Sequence, residues 1–376
     1  MASTEEHRYQ PVTPTRSSSS TESSNAESAV TIPLMKDEGL EDYFQTEHRS
    51  LSWRANAVWA NIVLGVVFVS SILLVLCWSL HTFLGHDRHI PAPSIPPTRL
   101  DKAYQPETDF DIVVSIYKED PAAVNNTIAQ VLSLASVSSN HRVLLYTKDE
   151  DANITALEAH FPTAEIIQLP NVGREGHTYL YHILNRWDNL ARHTLFTQAV
   201  LDNFGEALHR IENYYVPETG MLGLSFASEV CDCHRCADPY WHDYSGVLAK
   251  TYEMANNRTC GWFMLSYKGQ FISSAARIRG AGKEVYEYLH DGLSDPNSWA
   301  HQSEYIGAIS EQADSMNAPA LGFSLKRMWS GIMQCADLGV AARCPTMLSG
   351  FRRIGGKGED CQCFDREPGK DFIGFM

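Results

Sequence analysis

Leu169–Tyr181, which reads LPNVGREGHTYLY, gathers the residue types of an anion-binding turn. Asn171 and Gly173 favour a tight turn, and a helical pattern starts soon after. A strand, a glycine-bearing turn and a helix start aim backbone N–H groups and the positive end of the helix dipole at one point, where phosphate or carboxylate oxygens bind. Arg174 adds a planar cation with bidentate reach, and the segment runs on to His177. Read without a ligand, the same residues make an ordinary turn in which Glu175 complements the helix dipole. The Gly-Lys-Ser/Thr core of a Walker loop is absent, as are a G-x-S-x-G elbow and an H-E-x-x-H helix, which counts against serine and zinc hydrolases.

Carboxylates recur at comparable points. Glu119 and Asp120 follow the apolar run FDIVVSIY, and Asp149, Glu150 and Asp151 follow RVLLYT. Such groups hold a hard cation, take a proton from a sugar hydroxyl, or simply solvate a loop. CDCHRC (231–236) carries zinc-type ligands, but a structural zinc needs four at suitable spacing. The other reading is disulfides. Cys231, Cys233, Cys236, Cys260, Cys335, Cys344, Cys361 and Cys363 form an even set whose connectivity the sequence leaves open.

The elements that must position these groups alternate. Strands are predicted over 110–117, 142–147, 165–169 and 194–198, and helices over 122–134, 154–160 and 178–187. Strands separated by helices of this length imply βαβ crossovers: an α/β domain with a mostly parallel, Rossmann-like sheet and helices on both faces. In such sheets ligands gather at the carboxyl ends of the strands. The groups after strands one to four, from Glu119 to Asp202, would then share one edge.

Upstream, residues 55–85 contain no Asp, Glu, Lys or Arg, and 62–80 approach the ~20 apolar residues that span a bilayer. The run is too long and too far from the start for a signal peptide, so it is expected to be one uncleaved transmembrane anchor. Residues 1–54, rich in Ser, Thr and Glu up to residue 50, make a disordered cytoplasmic tail, and the PAPSIPP stretch within 86–108 a semi-rigid stem. The sequons at Asn125, Asn153 and Asn257 and all but one of the cysteines follow the span. That favours a single-pass type II protein of the Golgi or ER membrane with a lumenal domain over 109–310 and a Cys-containing extension over 311–376. A net charge of −15 and a pI near 5.4, with no dense basic run, exclude a nucleic-acid binder.

Several segments together resemble a fungal family of single-pass membrane proteins whose shared domain has no assigned function. They are VVSIYKED (113–120), LPNVGREGHTYLYHI (169–183), the strand at 196–198, and KGQFISSAARI (268–278) before a Tyr-rich helix at 285–289. More distantly, the order is similar to GT-A glycosyltransferases. That resemblance implies a nucleotide sugar and a glycan acceptor as partners, with Glu119 or Asp120 meeting the nucleotide and Asn171, Gly173, Arg174 and His177 lying near the donor. It also implies an Asp-x-Asp metal motif at the fourth strand, where this chain has Thr197-Gln198-Ala199. Either Asp202, the nearest carboxylate, or another acid holds Mn2+ or Mg2+, or the enzyme is metal-independent, or the domain has lost catalysis; Gln198 stands at the donor position. Glu175, Asp202 and Glu304 are the candidate acid–base groups, and Gln270, Trp262, Tyr267 and Trp299 candidates for touching sugar.

Overall fold

The computed structural model describes residues 62–76, 98–225, 230–309, 313–336, 340, 344 and 358–365. The chain divides into two compact units, Met1–Pro93 and Ser94–Met376. In the first, helix α1 (62–76) is apolar apart from two serines, and all of its side chains are exposed. No helix among the described residues is long and apolar enough to cross a membrane. The tail over 1–54, the rest of the span predicted over 55–85, and the stem as far as residue 97 lie outside the described residues.

The second unit begins with the predicted alternation. β1 (Phe110–Ile116), β2 (His141–Thr147), β3 (Ala164–Gln168) and β4 (His193–Gln198) are joined through α2 (Pro121–Leu132), α3 (Ile154–His160) and α4 (Arg174–Asn185). β1 pairs parallel with both β2 and β4, and β2 with β3. Every residue of β1 is buried, as a strand covered on both faces must be. Side chains alternate across it. Val113, Leu144 and Phe196 enter one core with α4, while Ile112, Val114, Leu145 and Leu195 enter another with α2.

After β4 come α5 (Phe204–Asn213) and β5 (Thr219–Gly223). Two small two-stranded antiparallel sheets follow, in which β6 (Val230–Asp232) pairs with β9 (Trp262–Met264) and β7 (Cys236–Asp238) with β8 (Trp241–Asp243); α6 (Val247–Asn256) lies between β8 and β9. β10 (Phe271–Ser274) then inserts between β4 and β5, antiparallel to both. It runs directly into α7 (Ala275–Ala281), and α8 (Lys283–Ser294), α9 (Ser303–Ile306) and α10 (Ala320–Ile332) follow. β11 (Gln362–Phe364) closes the edge beside β5, giving the order β11-β5-β10-β4-β1-β2-β3. The fold class expected from the alternation, a mostly parallel α/β sheet flanked by helices, is the one observed.

All eight cysteines of this unit are paired, as Cys231–Cys236, Cys233–Cys260, Cys335–Cys363 and Cys344–Cys361. CDCHRC (231–236) is therefore a knot of two disulfides, and its thiolates are not free to ligate zinc. No group of three potential metal ligands occurs among the described residues.

Candidate functional site

Parallel pairing brings the carboxyl ends of β1, β2 and β4 to one edge, with Ile116 opposite Thr147 and Ser115 opposite Gln198. β10 runs the other way, so its amino end reaches the same edge. Phe271 pairs with Phe196, and the turn at 268–270 stands beside the end of β4. α4 is fixed over the sheet by a buried hydroxyl contact between Thr178 and Ser115 at 2.9 Å. Its first turn thereby faces the edge.

Gly173 begins α4 at φ +66° and donates its N–H to the Met316 carbonyl at 2.8 Å. A Cβ there would lie 2.6 Å from the His177 Cβ, so only glycine fits both the dihedral and the space. Arg174, also left-handed at φ +51°, extends over the Phe323 ring at 5.6 Å and brings Nε to 3.6 Å from Glu175 Oε2. Glu175 is buried, and its Oε1 pairs with Lys326 Nζ of α10 at 2.9 Å. A Cβ on Gly269 would lie 3.8 Å from that same Oε1, which places the turn at 268–270 against the Glu175 pair. From this turn Lys268 Nζ reaches to 3.5 Å from Asp202 Oδ1, while Gln198 Nε2 donates to Asp202 Oδ2 at 2.7 Å. Arg174 and Lys326 thus flank Glu175, Lys268 meets Asp202, and the turn at 268–270 joins the two groups into one patch.

Gln270 is spent within the fold. Its Oε1 accepts from the Asp202 N–H at 2.9 Å and its Nε2 donates to the Asp202 carbonyl at 2.8 Å. Asp202 is held by its backbone at both ends. A small, partly open cleft shares Gly269 and Gln270 with the patch, and Met221, Met264, Phe271 and Trp329 supply apolar wall.

Other candidates have local partners. Glu119 accepts the Tyr117 N–H at 2.6 Å, and Asp120 caps α2 through the Ala122 N–H at 3.1 Å. Asn171 directs its N–H at Glu150 Oε1, 3.5 Å away. Glu304 is exposed on α9, where it takes a hydrogen bond from Ser303 at 3.3 Å. Trp299 stacks on Tyr288 at 4.8 Å, Tyr267 donates to Asp238 at 3.1 Å, and Trp262 is exposed. A divalent cation does not fit the residues at Asp202. Its two oxygens face an ammonium and an amide donor, and no second carboxylate joins it among the described residues.

Lys148, at the end of β2, lies in the segment that the strand-end rule selects, but nothing in the sequence assigns it a role there. It is buried, donates to the Val172 carbonyl and lies 3.2 Å from His177 Nδ1, so it braces the turn from behind. Burial pulls its pKa down to about 7, against the opposing attraction of Glu175. Burial, helped by Lys148 and His290, also lowers His177 to about 3, so His177 is neutral. Between pH 7 and 10.5 the unfolded chain, with an ordinary lysine, binds more protons than the folded one, and stability rises with pH. Below pH 7 the burial penalty is fully present. Denaturant unfolding at a series of pH values should show wild type gaining up to ~1.4 kcal/mol per pH unit over Lys148→Met in that window. Parallel pH profiles would show that Lys148 titrates normally.

No family model matches the sequence, and no curated protein matches it. The fungal resemblance therefore rests on its motifs alone. Among solved structures, a mannosyltransferase from Pyrobaculum calidifontis in complex with GDP-Man and Mn2+ is similar over 56% of this chain and 57% of its own, at 12% identity and a TM-score of 0.29. The chain thus spans little more than half the length of that enzyme. A 4-diphosphocytidyl-2C-methyl-D-erythritol synthase is similar over 62% of this chain and 100% of its own, at 12% identity and a TM-score of 0.27. Likeness of this size bears on no residue and no activity of this chain.

Proposed function

We propose that the second unit binds a nucleoside diphosphate sugar at the carboxyl edge of the sheet and transfers the sugar to a glycan or glycoprotein. The observation that carries this reading is the patch of Arg174, Lys268 and Lys326 around Glu175 and Asp202, beside the start of α4. Three cations over two carboxylates, next to a helix start, suit a ligand that brings negative charge. In transfer, the bond from the anomeric carbon to the diphosphate breaks with its electron pair on oxygen, and Arg174 and Lys326 stabilise that charge. The acceptor hydroxyl forms the new bond and releases its proton to a carboxylate. Asp202, 35% exposed, is open to this role, whereas Glu175 is 7% exposed.

In this reading the apolar run over 55–85 anchors a type II protein in the Golgi or ER membrane, with the catalytic unit lumenal. Four disulfides suit an oxidising lumen, and the sequon residues Asn125, Asn153 and Asn257 are exposed. The test is thermal stability of the full chain in mild detergent against a panel of UDP- and GDP-sugars. A shift with one donor, lost in Arg174→Ala, is expected; no shift with any donor sinks the proposal. A non-catalytic binding protein on the same fold is the second reading. It is favoured by Thr197-Gln198-Ala199, which puts no carboxylate at the end of β4. Donor binding without product from any acceptor would select it.

A further inference from the structure

Resting on the nucleotide-binding reading above, we infer that the diphosphate is held without a divalent cation, and that Lys268 supplies the charge a metal would bring by exchanging Asp202 for phosphate. The position of Asp202 is set by the Gln270 clamp on its backbone, and Gln270 is itself buried. Its two carboxylate oxygens are engaged by Gln198 Nε2 and Lys268 Nζ, so a metal there would sit against an ammonium with one carboxylate for ligand. Lys268 is the more loosely held partner of that pair. It is 44% exposed, and its 3.5 Å contact with Asp202 is looser than the 2.9 Å contact of Lys326 with Glu175. Both exposed cations, Arg174 and Lys268, sit in left-handed backbone at φ +51° and +68°. An ordinary side chain adopts that conformation at a cost of ~1–2 kcal/mol, so the chain holds these two residues in place against their preference. A phosphate arriving between them completes the pairing that each makes only in part.

The two readings predict opposite effects of one substitution. If a metal bridged Asp202 to phosphate, Asp202→Asn would abolish binding. If Lys268 binds phosphate directly, Asp202→Asn removes its internal competitor and tightens binding. The experiment is calorimetric titration of the full chain with UDP and with GDP, in excess EDTA and again with Mn2+. The inference expects one of the nucleotides to bind with the same Kd in both buffers. It also expects about tenfold or greater loss in Lys268→Ala, retention in Lys268→Arg, and gain in Asp202→Asn. Binding only with Mn2+, or loss in Asp202→Asn, overturns the inference while leaving the nucleotide site intact. Failure of both nucleotides in both buffers overturns the nucleotide reading itself. An unchanged melting temperature in Lys268→Ala confirms that the variant is folded.

Discussion

Gly173→Ala is expected to destabilise the second unit by about 3 kcal/mol and to abolish nucleotide binding, whereas Gly246→Ala should cost about 1 kcal/mol. Both glycines start a helix with left-handed backbone, at φ +66° and +76°. The conformational penalty for alanine is therefore the same at each. Their surroundings differ. A Cβ at Gly246 meets nothing within 4 Å, while one at Gly173 meets the His177 Cβ at 2.6 Å and the Leu293 Cβ at 3.1 Å. These are Cβ atoms fixed to the backbone, not flexible ends, so relief requires the first turn of α4 to open at His177 and to move away from Leu293 on α8. His177 stacks on His290 at 5.0 Å and lies beside Lys148, so turning it aside breaks the stack and one of the two contacts of a buried amine. Any such shift also carries Arg174 and Glu175 out of the cation patch. Urea unfolding of the two variants beside wild type measures the difference. Equal losses would mean that the turn has room, and that Gly173 serves conformation alone.

Such crowding explains which parts of the fold the sequence made legible. β1 and β2 carry apolar runs and β4 the buried HTLFTQ, and all three begin and end within a residue or so of the predicted bounds. The helix after Gly173 was expected from Thr178 but begins at Arg174. Its first turn, Arg-Glu-Gly-His, is polar, yet Glu175 and His177 are buried there by an ion pair and a ring stack. Apolar periodicity cannot register burial of that kind. β5, with two glycines in TGMLG, and β11, three residues long, carry no pattern of their own; their neighbours make them strands. Among the site residues, Arg174 and Asp202 were visible because turn and strand signals point at them. Lys148 fell in a selected segment without a role, and Lys326 was not visible. Their significance lies in contacts with His177 and Glu175, far along the chain, and a lone lysine gives no local sign of being near-buried. The eight cysteines announced disulfides, but the pairing depended on a topology that interleaves β6, β7 and β9.

Arg277→Met should be the most destabilising substitution in the unit, by about 3–5 kcal/mol, with Arg277→Lys recovering little of it. The guanidinium is 1% exposed and donates to four acceptors: Asp365 Oδ1 and the carbonyls of Met333, Gln334 and Phe364, each at 3.0 Å. Burial lowers its pKa, opposed by the charge and hydrogen bond of Asp365. A lysine keeps the charge but lacks the fork, so it leaves several of these oxygens buried without a donor. Arg279, on the same helix, gives the contrast. It pairs with Asp101 at 2.7 Å and lies over the Tyr104 and Trp187 rings, but it is 16% exposed and stacked, so its loss should cost about 1–2 kcal/mol. Denaturant unfolding followed by tryptophan fluorescence compares the three variants. A loss under ~1 kcal/mol for Arg277→Met would mean that the Cys335–Cys363 disulfide alone holds the segment it grips. The stakes reach the site because α7 is the direct continuation of β10, whose opposite end carries Lys268 and Gln270. Arg277 fastens β11, and through it β5, to the strand that presents the cation turn. When the fork is lost while the disulfide survives, nucleotide affinity should fall less than stability does, because Gln270 still clamps Asp202 from its own end of β10.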